Sequence, residues 1–300
     1  MRYYSLSEYL KNKYGEKYIK LSLDAGLSCP NRDGRLSTGG CIFCSQSGSG
    51  DFAEGGAELN SQIERAKLRV QHKAKSDKFI AYFQSFTGTY APASRLRELY
   101  LPVACRDDIA ILSIATRPDC LDDSVLEVLS ELREKKPLWI ELGLQTSNDR
   151  TAEFINRCYP TECYDLAVSR LHSIGAEVIT HLIVGLPGES AFDMRESVRH
   201  IASVGTDGVK LQLLHIIKGT RLCELYERGE VKALSLEEYA ELICMLLENL
   251  PPQVVVHRLT GDGSRDSLAA PLWSLDKKRV LNYLNSEMKK RAVIQGKLYK

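Results

Sequence analysis

Six short apolar runs recur along the chain, at 18–23 (YIKLSL), 78–84 (KFIAYFQ), 109–116 (IAILSIAT), 138–145 (LWIELGLQ), 177–186 (EVITHLIVGL) and 208–217 (GVKLQLLHII). Between them the apolar positions take a helical period, near 58–74, 94–104, 122–135, 161–174 and 189–204. Runs that are apolar on both faces and separated by amphipathic helices predict parallel strands joined by βαβ crossovers. Six such units build either an open doubly wound sheet or a partial (β/α)6 barrel, and both place their chemistry at the carboxyl ends of the strands. Further helical patterns follow at 220–228 and 235–249, then an apolar run, QVVVHRL (253–259), and a basic helix near 275–292. The expected organisation is a core over 1–250 with a basic C-terminal helical extension, 251–300, packed on it. One long Gly/Ser/Asp-rich loop, roughly 24–56, follows the first strand. A loop of that length inside a compact domain is usually functional.

Composition changes this picture little. Apolar content of 44% and charged content of 26% are those of an ordinary globular chain. The opening MRYYSLSEYLKNKYGEKY has no apolar h-region, no run has the length of a bilayer span, and the nine cysteines are odd in number. These features predict a cytoplasmic protein with no membrane partner and no disulfide framework. Charge adds more. Lys and Arg outnumber Asp and Glu 13 to 9 over residues 1–78 and 10 to 4 over 253–300, whereas the middle carries 17 against 26. Two basic ends around an acidic middle offer a polyanion footprint if they share a face, and otherwise are solvated helix surface.

The candidate chemistry lies in the long loop, SCPNRDGRLSTGGCIFCSQSGSG, where Cys29, Cys41 and Cys44 are spaced C-x11-C-x2-C. A structural zinc would need a fourth ligand from a distant cysteine such as Cys105 or Cys120, because the nearest histidine is His72. An iron–sulfur cluster takes thiolates as its usual ligands, and a four-iron cluster on three of them keeps one iron open for chemistry. The remaining cysteines (105, 120, 158, 163, 223 and 244) read as small buried hydrophobes, with Cys158 singled out by its place beside Arg157.

With Phe43 just before the third cysteine, this loop resembles that of the radical S-adenosylmethionine (SAM) enzymes. The long first spacing resembles the branch containing the Elongator catalytic subunit, and within it the bacterial YhcC-type group. TRPD (116–119), ELGLQ (141–145), GLPGE (185–189), KGT (218–220), RLTGD (258–262) and APLWSLDK (270–277) extend the match over nearly the whole chain. The resemblance implies a partial barrel of radical SAM type, a [4Fe-4S] cluster on Cys29, Cys41 and Cys44, SAM on the open iron, and an electron donor of flavodoxin or ferredoxin type. It also implies SAM contacts. Gln145 ends the fourth strand, Arg157 of the Asn156-Arg157 pair is expected to reach the carboxylate, and Thr116 closes the third strand. His181 is either a SAM contact or a satisfied core histidine. The family's glycine-rich GGE-type turn is replaced by QSFTGTY (84–90), so Thr87 and Gly88 are expected to receive the SAM amino group. Glu141, a carboxylate inside an apolar strand, needs a partner, with Arg117 or Lys210 as candidates.

Elongator-type relatives act on carbon 5 of the tRNA wobble uridine. The resemblance therefore implies tRNA as partner, with no DNA expected. The chain past the sixth strand is too short for the acetyltransferase domain of those relatives, so the expected target is a substituent already on the base, for example carboxymethylaminomethyl. Arg65, Lys67, Arg69, Lys73, Lys75 and Lys78, with KKR at 277–279 and 289–291 and with Trp273 and Tyr283 for stacking, are the expected phosphate and base contacts. Two other classes stay open: a radical SAM enzyme on a small molecule or protein, and a metal-binding RNA protein without catalysis.

Overall fold

The structure, a computed structural model, describes residues 2–45, 48 and 58–299. Part of the predicted loop 24–56 therefore lies outside the described residues. The chain opens with α1 (Leu6–Tyr14), β1 (Ile19–Leu23), α2 (Leu59–Val70), β2 (Phe79–Phe83), α3 (Ala93–Ala104), β3 (Ile109–Thr116) and α4 (Asp123–Lys135). It continues through β4 (Leu138–Gln145), α5 (Asp149–Phe154), α6 (Thr161–Ser173), β5 (Glu177–Val184), α7 (Ala191–Val204) and β6 (Gly208–Leu213). Last come β7 (Ile216–Ile217), α8 (Arg221–Glu227), α9 (Leu236–Asn249), β8 (Val255–Arg258), β9 (Leu268–Ala270) and α10 (Lys277–Lys290).

Seven strands form one parallel sheet in the order β1-β2-β3-β4-β5-β6-β8. It is the expected partial barrel, with one strand added, because the apolar run after residue 252 pairs with β6. The last of the six predicted runs is broken. It bends after Leu213, and Ile216–Ile217 leave to pair antiparallel with β9. Only the tertiary partner fixes that break, since the apolar pattern runs on through it.

Alternation along each strand sorts the side chains. Leu138, Ile140, Leu142 and Leu144 of β4 face the helices in the main core, whereas Trp139 of the same strand packs with Ile80, Ile111 and Ile179 inside the curl. Beneath that inner layer sits α1, which the sequence reading passed over. Ser5 caps it by accepting from Glu8 N, Gly15 ends it in the left-handed region, and Leu10, Tyr9 and Tyr14 join the inner layer. The amino ends of the strands are thus plugged by apolar and aromatic groups, and the opposite end stays open. Among the described residues, no helix is long and apolar enough to cross a membrane.

The basic segments occupy opposite edges of the sheet: α2 packs on β1, and α10 on α9. Cys223 and Cys244 are buried as expected, but Cys105 and Cys158 are exposed, because one follows the last turn of α3 and the other sits in a turn after α5.

Candidate active site

A cavity of about 540 Å3 opens at the carboxyl ends of the strands, within the range of cofactor and substrate pockets. One wall carries Cys29, Cys41 and Cys44. The thiols of Cys41 and Cys44 hydrogen-bond to each other; this contact pulls Cys41 down to about 7, helped by the charges of Arg117 and Arg32, and pushes Cys44 up. Asn31 Nδ2 lies 3.6 Å from Cys41 Sγ. Among the described residues, no three His, Cys, Asp or Glu side chains are arranged around a single metal ion. Three soft thiols on one wall beside two guanidinium groups suit a wider, thiolate-bound anionic group such as an iron–sulfur cluster.

The segment after α5 holds the cysteine loop. Asn156 Nδ2 donates to Gly40 O at 2.7 Å and Ser37 Oγ at 3.2 Å, while Asn31 Nδ2 donates to Asn156 O at 2.6 Å. Ile42 N donates to Ile155 O at 3.1 Å. Asn156 and Cys158 both adopt positive φ, 58° and 65°. Such strain persists only where surrounding contacts over-determine it.

Arg157 stands between those two residues, and its expected role needs correction. It is fully buried, and all its donors are used within the protein. Nε donates to Tyr159 O, Nη1 to Leu144 O and Thr146 O, and Nη2 to Asp149 Oδ1 and Thr161 Oγ1, at 2.6–3.2 Å. A guanidinium has five N–H groups, so Arg157 is a strut tying the end of β4 to α5 and α6, with no donor left for a carboxylate. A second guanidinium on the cavity wall is that of Arg117. Its Nε and Nη2 hold Asp119 at 2.9 and 2.7 Å, its guanidinium lies 4.8 Å over the Tyr159 ring, and it lines the cavity. Nη1 has no hydrogen-bond partner among the described residues.

Gly88 also needs correction. Its N–H donates to Ala115 O at 2.8 Å, its C=O accepts from Tyr100 Oη at 2.5 Å, and it is not among the residues that line the cavity. A Cβ there would lie 2.7 Å from Ile114 Cγ2; glycine is required by close packing. Thr87, Thr116 and Gln145 do line the cavity. Thr116 Oγ1 pairs with Thr89 Oγ1 at 2.6 Å, and Thr89 in turn donates to Cys120 O, which leaves Thr116 its acceptor lone pairs. Gln145 sits at a register shift with φ 64°, its Oε1 3.2 Å from Tyr159 Oη.

His181 faces the cavity with both ring nitrogens already engaged, Nε2 with Glu141 at 2.7 Å and Nδ1 with Gln212 Nε2 at 3.2 Å. Burial brings it down to about 4, so it is neutral, with Nε2–H donating to the carboxylate. Of its two readings, the geometry carries the satisfied histidine. Glu141 is the hub. It accepts from Lys20 Nζ at 2.6 Å, from Ser113 Oγ at 2.8 Å and from Lys210 Nζ, and it does not touch Arg117. Burial opposes its ionisation, yet the fields of Lys20 and Lys210 hold it well below the usual carboxylate range. Lys210 is thus the partner expected of Glu141; Lys20, not foreseen, had a readable signal, since each lysine is the lone charged residue of an apolar strand. Arg117, Arg258, Asp262 and Lys277 lie inside the quoted motifs and also line the cavity.

A half-barrel of parallel strands, plugged at its amino ends and carrying a three-thiol loop over its carboxyl ends, defines a class of enzyme scaffold built to hold a thiolate-bound group beside a small cofactor. Residues 33–201 match the profile of the radical SAM superfamily, and residues 206–290 that of the radical SAM C-terminal domain. The chain belongs to the radical SAM superfamily, in its Elongator-like branch and YhcC-type group. It is 45% identical to YtqA of Bacillus subtilis over 299 residues (99% of this chain, 93% of the relative) and 37% identical to YhcC of Escherichia coli over 265 residues (88% and 85%). A tRNA uridine(34) acetyltransferase of Methanocaldococcus jannaschii matches at 30% over 154 residues, 50% of this chain and 28% of that one. Among solved structures, Methanocaldococcus infernus Elp3 superposes with a TM-score of 0.70 at 17% identity, covering 93% of this chain and 64% of that one. That likeness is one of fold.

Proposed function

We propose that this chain is a radical SAM enzyme that modifies the C5 substituent of the wobble uridine in tRNA. The observation that carries the first half is the single cavity that gathers Cys29, Cys41 and Cys44 with Arg117, Thr116 and Gln145. When bound there, a [4Fe-4S] cluster and SAM supply a 5′-deoxyadenosyl radical by one-electron cleavage of the sulfonium. The three cysteines would hold the cluster. Arg117 would set its free Nη1 against the SAM carboxylate, Thr116 would accept from a hydroxyl, and Thr87 and Gln145 would line the slot. The α1 plug keeps water out from below, which protects reactive chemistry from quenching. An oxygen-sensitive cluster among nine free cysteines fits a reducing cytoplasm, with the electron from a flavodoxin or ferredoxin type donor.

The tRNA half is supported by the match to a protein named for uridine 34 of tRNA and by exposed cations on the tail of α2 and the end of α10. Lys73, Lys75, Lys289 and Lys290 are all exposed. Neutralising these four together should weaken tRNA binding and flatten its salt dependence, because fewer counterions are released. The test compares SAM cleavage with and without tRNA, in parent and fourfold variant, over a salt series. Equal binding and turnover in both would leave the basic ends as solvated surface and reopen the substrate question, and SAM cleavage indifferent to tRNA would remove tRNA as substrate. Mass spectrometry of tRNA nucleosides from a deletion strain then identifies the altered position.

A further inference from the structure

The cysteine end of the cavity has its own cation in Arg117. The other end is built by the chain past residue 250 and carries a second positive pole. Arg258 closes β8, Asp262 sits between Gly261 and Gly263, and Lys277 opens α10; all three line the cavity. Asp262 receives Arg258 Nη2 at 3.2 Å on one oxygen and Lys277 Nζ at 2.6 Å on the other. One carboxylate thus fixes two cations on one wall, a net charge of +1. Nε and Nη1 of Arg258 have no hydrogen-bond partner among the described residues.

Deeper in the barrel, Lys20 and Lys210 share the single carboxylate of Glu141, and Lys210 Nζ lies 3.0 Å from Tyr82 Oη. On the cavity wall Arg258 and Lys277 thus face one carboxylate, while burial draws Lys210, beside Glu141, well below the usual lysine range. An excess of positive charge facing a concave, partly dry space is costly unless an anion joins it. His215, also on the cavity wall, lies near Asp262 and Arg258, and burial keeps it neutral with a value of about 4. Its ring packs on Gly261, where a Cβ would come within 2.9 Å, and its Nε2 is buried without a partner.

We infer that Arg258 and Lys277, braced by Asp262, form a subsite for a carboxylate carried by the substrate, and so select an acidic C5 substituent on the uridine. The subsite deepens the tRNA reading and rests on it for the uridine. A staple that merely pins α10 to the sheet would need neither the free Arg258 donors nor a place on the cavity wall.

The test uses anaerobically reconstituted holoenzyme and three probes: 5-carboxymethyluridine, uridine 5′-monophosphate and uridine. Binding is measured for the parent and for Arg258→Gln, Lys277→Gln and Arg258→Lys, with melting temperature and iron content as checks on folding. The parent should prefer 5-carboxymethyluridine to uridine by about tenfold or more, the worth of one charge-assisted hydrogen bond. Both glutamine variants should lose most of that preference, and Arg258→Lys should keep part of it. A parent that binds carboxymethyluridine and uridine alike overturns the subsite without recourse to any variant. So does a preference for the monophosphate alone, which would make the anion a backbone phosphate. Turnover is then compared on tRNA bearing carboxymethylaminomethyl or aminomethyl at the wobble position. Selective carboxylate binding with no tRNA turnover sinks the tRNA reading and leaves the subsite. Equal turnover of both tRNAs by parent and Arg258→Gln does the reverse.

Discussion

Glu141→Gln is the sharpest probe of how the barrel interior is held. The substitution keeps the volume of the side chain, removes its charge and turns one oxygen into a donor facing an ammonium. Glu141 is fully buried and accepts from Lys20, Lys210, His181 and Ser113. Uncompensating a buried ion pair in this way costs about 3–5 kcal/mol. Unfolding entropy of about 2.1 cal/mol/K per residue, over 300 residues, makes about 0.6 kcal/mol per degree. The melting temperature should therefore fall by about 5–8 °C. Equilibrium urea unfolding followed by circular dichroism gives the free energy directly. The pH dependence has a definite sign. The carboxyl of Glu141 is held low in the folded state, so its contribution is present above the unfolded value and is lost as pH falls through the folded one. The deficit of the variant is accordingly full near neutrality and shrinks in acid, where the parent loses what the variant lacks. Adding Lys210→Met removes one stranded cation and should recover at least half of the loss. A deficit below about 1 kcal/mol, the scale of a screened surface pair, or strict additivity in the double variant would refute the buried-hub argument.

Other outcomes follow from the same geometry. Replacing Cys29, Cys41 or Cys44 by Ala should abolish anaerobic reconstitution of about four irons and four sulfides per chain; stoichiometric zinc without iron–sulfur absorption in the parent would sink the cluster. Arg157→Ala strips donors from the carbonyls of Leu144, Thr146 and Tyr159 and should cost at least about 3 kcal/mol of stability. Arg117→Gln should leave the fold intact and weaken SAM binding by about 1.5–3 kcal/mol, and calorimetry showing the opposite pattern would restore Arg157 to the carboxylate. Burial pushes Glu189 up to about 7, so the folded state favours its protonated form. Its contribution is complete below the unfolded value and disappears as pH rises through the folded one, a change of about 3 kcal/mol that Glu189→Gln should erase between pH 5 and 8; parallel stability profiles would contradict it. Gly88→Ala forces a methyl to within 2.8 Å of Ala115 O and should destabilise by about 1–3 kcal/mol, read as a lower urea midpoint.

Sequence alone was enough for most strands of the parallel sheet and for the thiols. Apolar runs flanked by helical periods read as parallel strands because burial on both faces leaves no polar alternation, and β3 and β4 fall at their predicted limits. The three cysteines stood out because their spacing is local. What depended on distant partners was not legible. The break between β6 and β7 needs β9, more than fifty residues on. The donors of Arg157 look free in sequence and are consumed by carbonyls that only the folded end of β4 presents. Lys20, Glu141 and Lys210 belong to three strands, and only the curl of the sheet brings two ammonium groups to one carboxylate. Asp262 likewise joins the end of β8 to the start of α10. Periodicity records which face of an element is buried; the pairing of charges across a barrel is set by curvature and register, which no local pattern encodes.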